Sequence, residues 1–286
     1  MKDIKRKEHF VPQAHLKNFS FKNKNTDKVV VIDKNKDETY PSSIDDVACQ
    51  RDFYEVYDKE TNYWENWYAE IDGKITSIYN SIIINARYAN NKQKILSDYL
   101  KQELSLIIVS QMLRTKVAKK YFLSIGNDIT TEMITSTKRI LKDVLTNEQV
   151  NLLDEYMNKE DFIYSTALDY MNSDKFIKKA INILQNKIWI VHKNVNYKKI
   201  PFVTSDNPVI LYNLFTHKVG FGSNGLLKDG TVIYFPINKE LLVAIYPRYE
   251  NLEKYNNKID FLNDDKFVMS FNKSNYIQCE RQVFYS

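Results

Sequence analysis

The hydrophobic pattern changes period once, and that change constrains the fold more than any single motif. From about Tyr63, apolar residues recur at helical spacing for well over a hundred residues, then give way to short apolar runs. Spacings of three and four place side chains on one face of a helix, whereas short runs rich in Val, Ile, Tyr and Phe between turn residues form strands. Helices are predicted over 64–87, 94–123, 130–145, 147–157, 160–171 and 174–187, with Thr146 to Gln149 as a helix start. Strands follow at 188–191, 201–204, 209–212, 231–235 and 241–245, then a helix at 261–278 and a last strand at 283–285. A block of helices followed by a block of strands indicates α+β: a central multi-helix region packed on a mainly antiparallel C-terminal sheet.

The first sixty residues are more mixed. Pro12 opens a short helix running to about Phe19, because a missing N–H costs nothing in a first turn. His9 therefore lies on an extended lead-in just before that helix. Strands are expected at Val29–Ile32 and Phe53–Tyr57, with a short helix over 45–51 between them. No repeat and no Pro-, Gly- or Ser-rich linker divides the chain. Residues 1–286 read as one domain, with sub-parts at 1–60 (motif segment and short strands), 61–187 (helical) and 188–286 (β-rich with a late helix).

Composition excludes more than it selects. Of 286 residues, 43% are hydrophobic and 27% charged, enough for a core and unlike a disordered chain. The 20 Tyr against 6 Gly and 6 Pro match the usage of an AT-rich coding genome, which makes the net charge of +5 weak support for a nucleic-acid partner. Cys49 and Cys279 have neither disulfide-framework nor zinc spacing and are expected to be small buried hydrophobes. The charged opening residues lack the apolar stretch of a secretory signal, and no apolar run is long enough for a bilayer. No membrane is expected, and the cytoplasm is the expected location.

Several short motifs carry polar chemistry. Gly220-Phe221-Gly222-Ser223-Asn224-Gly225 spells GxGxxG, but a dinucleotide loop must open a helix, and this one leads into a strand. It reads as a long hairpin loop, placed to act as a flap. On the helix over 94–123, Leu100, Leu104 and Ile107 trace a face whose continuation lands on Gln111, Arg114 and Ala118. A buried guanidinium needs an anion, either an Asp or Glu of the fold or a ligand phosphate or carboxylate. Thr204-Ser205-Asp206-Asn207-Pro208 ends a strand. It serves either as an Asx turn or as the place where Asp206 orients a histidine or holds a divalent metal. The four histidines match no zinc motif. His9, facing a helix N-terminus, is expected to stay neutral and fit for acid–base work, or else to be structural.

Three of these stretches resemble one family. His9-Phe10-Val11-Pro12-Gln13, with Leu16 and Phe19 after it, is similar to the motif of the mostly bacterial domain of unknown function 4238 family, marked by His-Tyr-Val-Pro. Phe10 replaces the usual Tyr, so that hydroxyl is absent. Gln111-Met112-Leu113-Arg114-Thr115 resembles the family's central helix, and Phe202 to Val209 its Thr-Ser-Asp-Asn-Pro segment; Phe235-Pro236 and Asn272 also fit. The resemblance spans nearly the whole chain and implies no activity. It does imply that His9, Gln13, Gln111, Arg114 and Asp206 belong to one motif set.

Two functions are consistent with these residues. The first is a hydrolase acting on a phosphodiester or nucleic-acid substrate, in its narrowest form a bacterial defence nuclease. His9, Arg114 and Asp206 would be catalytic, and Gln13, Gln111 and Asn207 would bind substrate. A divalent metal is compatible with Asp206, and the cofactor stays open. The second is a non-catalytic ligand-sensing or protein-interaction module. There the polar cluster is structural, and aromatic patches at Tyr63-Trp64 and Trp67-Tyr68 make the contacts.

Overall fold

The computed structural model describes residues 6–56, 58–140, 144, 146–157, 160–220 and 224–286. In chain order these form β1 (Lys7–His9), α1 (Gln13–Leu16), β2 (Phe21–Asn23), β3 (Thr26–Asp33), β4 (Glu38–Ser43), β5 (Cys49–Arg51) and the helices α2 (Tyr63–Tyr88), α3 (Asp98–Leu113), α4 (Lys116–Ile140), α5 (Asn147–Met157), α6 (Glu160–Met171) and α7 (Asp174–Gln185). Then come β6 (Ile188–Asn194), β7 (Thr204–Ser205), β8 (Ile210–Asn213), β9 (Thr231–Pro236), β10 (Leu241–Tyr246), β11 (Lys258–Leu262), α8 (Asp265–Gln278) and β12 (Gln282–Tyr285). The fold is α+β, with α2 to α7 in one block as their periodicity requires.

The larger sheet has the order β11-β6-β10-β9-β8 and is antiparallel except where β11 runs parallel to β6. Its strands are apolar on both faces because both faces are covered. Trp189, Val191, Ile233, Phe235, Val243 and Ile245 point into the core shared with α2, α3 and α7. The alternate residues Val232, Tyr234, Leu242 and Ala244 pack with Val268 and Phe271 of α8 on the other side.

The smaller sheet ties the chain's beginning to its end. β4 pairs along one edge of β3, while β2 and β12 share the other, and β12 in turn pairs with β7. Its core joins Phe10, Val11 and Leu16 to Val29, Val31 and Phe284, and on to Tyr54, Trp64 and Tyr68.

Local chemistry sets the helix ends and corrects several boundaries. Thr146 and Gln149 form a reciprocal capping box that starts α5, as expected. Ser97 accepts from the Leu100 N–H, so α3 begins at Asp98 rather than at 94. The helix expected over 94–123 breaks at Arg114 and Thr115, where the Thr115 hydroxyl accepts from the Ala118 N–H and caps a new helix. The helix expected over 130–145 is the continuation of α4; positions 141–143 and 145 lie outside the described residues.

The segment 45–51 is not a helix. It turns through Ala48, whose φ of 48° aims its carbonyl at the N–H groups of Phe10 and Val11, and it ends as β5 against β1. Residues 53–56 form no strand, because the Tyr54 N–H is taken by the Glu8 carboxylate at 2.7 Å; Tyr57 lies outside the described residues. The strand expected at 201–204 shrinks to β7. There Asn272 and Asn275 of α8 supply side-chain amides in place of a neighbouring strand, bonding Pro201 and Val203. The late helix starts at Asp265 after an Asp264 cap, and the residues before it form β11.

Among the described residues no helix is long and apolar enough to cross a membrane. Both cysteines are free; Cys279 is buried as expected, but Cys49 is only half-buried. Gly220 and Asn224 flank a stretch, 221–223, that lies outside the described residues, and the chain beyond it enters β9 rather than a helix.

Phe284 is fully buried on the strand that bridges the two ends of the chain. Phe284→Ala is expected to cost about 3–5 kcal/mol in urea unfolding; a loss under about 1 kcal/mol would show that β12 contributes little to holding the sheet.

Candidate functional site

Arg114 is the largest polar side chain in the interior, 1% exposed at the end of α3. Its two terminal nitrogens meet Asp72 of α2 in a bidentate pair, Nη1 to Oδ2 at 3.1 Å and Nη2 to Oδ1 at 3.0 Å. Nε donates to Gln111 Oε1 at 3.2 Å, and the Tyr68 ring lies 5.2 Å from the guanidinium carbon. The amide of Gln111 then donates to the Phe10 carbonyl at 2.9 Å. The Tyr54 hydroxyl lies 3.3 Å from both the His9 and the Arg114 carbonyls. Each donor atom named here has an acceptor, and the anion facing Arg114 is the fold's own Asp72.

An open cleft begins on the other side of Asp72. Lys7, His9, Pro12, Gln13, Asp45, Glu65 and Asp72 line a space of about 480 Å³ that opens to solvent. His9 Nε2 and Gln13 Nε2 are 3.4 Å apart. Partial burial pushes the imidazole pKa of His9 down, and the Lys7 charge adds to this; the backbone at Asp45 and Ile44 draws it back up. His9 is thus half-buried and held towards its neutral form at the mouth of a polar cleft. The geometry brings His9 and Gln13 to that cleft and places Gln111 and Arg114 behind it, with Asp72 shared between the two.

Asp206 and Asn207 are elsewhere. The Asp206 carboxylate is taken up by the backbone N–H groups of Glu280, Arg281 and Gln282, at 2.8, 2.7 and 2.8 Å. Burial pushes its pKa up to about 6 against those three donors. No hydrogen bond joins it to His9, and its carboxylate closes no local Asx turn either, that turn being made by Ser205 Oγ accepting from the Asn207 N–H at 3.2 Å; Asp206 instead fixes the start of β12. Asn207 is fully buried, with Oδ1 accepting from Thr115 and Nδ2 donating to the Gln278 carbonyl, both at 3.2 Å. That amide has no free face for a substrate. Among the described residues no three His, Cys, Asp or Glu side chains converge to hold a metal ion.

Sequence reasoning passed over three participants. Asp72 lies one turn beyond Tyr68 and beside Ile71 and Ile75, so an acid at the edge of a buried stripe was the available signal. His15, fully buried, bridges Tyr79 at 2.9 Å and Thr204 at 2.8 Å, joining α1 to α2 and β7. Glu8, also fully buried, accepts from the Tyr54 N–H and the Asn62 amide, and burial raises its carboxyl pKa. The aromatic pairs at 63–68 are mostly core: Trp64 and Tyr68 are buried, Trp67 packs against them, and only Tyr63 is exposed.

Residues 7–286 match the family model described as a protein of unknown function, DUF4238. The chain belongs to that family. All three stretches that carried the resemblance, at 9–13, 111–115 and 202–209, fall inside the match. No curated protein and no solved structure matches the chain.

Two outcomes follow for this DUF4238 chain. Asp72→Asn leaves the shape nearly unchanged but strands the Arg114 charge, and it is expected to lower unfolding free energy by about 2–4 kcal/mol. A change below about 1 kcal/mol would mean that the pair is not a stabilising contact. Burial holds His15 neutral down to about 3, against an ordinary value of 6.5. Between those values the unfolded chain binds a proton that the folded one refuses, so this stability is complete above 6.5 and drains away towards 3. In urea titrations across that window wild type should lose about 3–5 kcal/mol relative to His15→Asn, a comparison in which the opposing gain from Asp206 cancels; parallel curves for the two proteins would contradict it.

Proposed function

We propose that the protein is a hydrolase whose acid–base group is His9. The observation that carries this reading is the contrast across Asp72: a closed, fully paired cluster behind it and, in front, a neutral-leaning imidazole at an open polar cleft. A neutral imidazole can take a proton from water or a substrate hydroxyl and return it to a leaving group. Gln13, 3.4 Å from the ring, is placed to hold a substrate carbonyl or hydroxyl beside it. Arg114 acts as a positioning residue, since it reaches the cleft only by fixing Asp72.

The lining favours one substrate class over another. Asp45, Glu65 and Asp72 outnumber Lys7, and the Asp72 charge is already matched by Arg114. A nucleic acid would approach against that field, whereas a neutral polar ester or amide would not. We therefore put a neutral polar substrate first and a phosphodiester, including the nuclease of bacterial defence, second. A non-catalytic module is the competing reading. It is favoured by the completeness of the Arg114 cluster, which is what a docking network for the N-terminal segment requires.

The test compares wild type with His9→Gln on p-nitrophenyl butyrate, bis(p-nitrophenyl) phosphate and labelled RNA and DNA, with and without magnesium. Turnover by wild type that falls about 100-fold or more in a variant of unchanged melting temperature supports the hydrolase. Cleavage confined to the phosphate probes would reverse the substrate order. No wild-type turnover, or equal turnover by both proteins, overturns the proposal.

A further inference from the structure

Two connected spaces lie beneath the chain that leads into β9, and neither shares a residue with the His9 cleft. The inner one, about 180 Å³, is walled by Val109, Met112 and Leu113 of α3 and by Phe122, Met171 and Leu211. The outer one, about 560 Å³, carries Tyr170, Ile183 and Leu227 together with Lys175, Lys179 and Lys228. Phe176, Ala180, Gly225 and Leu226 line both, so the two form one passage from surface to core. Its size falls in the roughly 300–1,000 Å³ range of small-molecule sites.

The polarity along this passage is graded. Among the described residues the outer lining holds three lysines and no carboxylate, with the exposed Lys175 and Lys179 one helical turn apart on α7. The inner lining's side chains are apolar apart from Asn224 and the hydroxyl of Tyr121. Asn224 is 4% exposed, and its Nδ2 lies within 3.0–3.3 Å of the Leu211, Lys218 and Gly220 carbonyls, which fixes the amide's orientation. Its buried Oδ1 has no partner among the described residues. That oxygen is closed off from the chamber as well as from solvent.

We propose that this passage binds a single-chain amphipathic anion: an alkyl carboxylate whose head meets the lysines and whose chain enters the inner chamber. Each half of the ligand finds the environment it needs. The apolar walls take hydrocarbon out of water, and the lysine mouth holds the carboxylate where it stays hydrated. The acid-free lining sets the sign of the head group. The mainly apolar chamber sets the preference for an unsubstituted hydrocarbon chain.

Isothermal titration of the full chain with decanoate, ω-hydroxydecanoate and decyltrimethylammonium tests this. Decanoate is expected to bind at one site, ω-hydroxydecanoate more weakly because its terminal hydroxyl loses water among apolar walls, and the cation not measurably. Charge reversal at the two exposed positions, Lys175→Glu with Lys179→Glu, should leave the melting temperature unchanged and weaken both carboxylates about tenfold or more. Equal binding of cation and carboxylate, or unchanged affinity after charge reversal, overturns the proposal.

Discussion

A guanidinium that is 1% exposed must place its charge on a neighbour, and at Arg114 that neighbour is Asp72. The pair does more than neutralise a charge. Because Asp72 sits on α2 and Arg114 closes α3, the ion pair fixes one helix against the other where a new helix begins. Through Gln111 and Tyr54 the same cluster holds the carbonyls of Phe10 and His9, so the N-terminal strand is set by the helical core behind it. Asn207 and His15 extend the arrangement to β7, bonding Thr115 on one side and Thr204 on the other. Segments far apart in sequence thus converge on one junction, with buried polar groups paired as a low-dielectric interior demands.

The consequence for function is a division of labour across one carboxylate. Asp72 is 27% exposed, with its oxygens on Arg114 and a flank on the cleft. The rigid side needs no ligand. The open side has an imidazole pressed towards neutrality and polar neighbours around it. The chemistry we assign to His9 follows from that placement, with Arg114 as the support.

Much of the fold could be read from periodicity, because long amphipathic helices and fully buried strands leave strong patterns. The helix boundaries at α2, α5, α6 and α7 were legible for that reason, and the capping box at Thr146 marked its own helix. Patterns failed where a side chain replaced a backbone partner: at Tyr54, held by Glu8, and at 201–203, held by the asparagines of α8. The break at Arg114 was hidden because α3 and α4 share an apolar face across it. Arg114 and Gln111 stood out as polar residues on a buried face. Asp72 did not, since an acid at the edge of an apolar stripe looks like a solvated one. Asp206 reads in the sequence as local turn chemistry, but its carboxylate holds the backbone of 280–282, some seventy residues downstream, and Ser205 makes the local turn.

The most direct test of the account is hydrogen–deuterium exchange of wild type against Arg114→Met, followed peptide by peptide. If the Arg114 cluster sets the N-terminal segment, amides of residues 9–13 and of the α3–α4 junction should exchange faster in the variant, while α8 and β11 keep their protection. Unchanged protection at 9–13, in a variant that folds, would contradict it and move the origin of the cleft's geometry elsewhere.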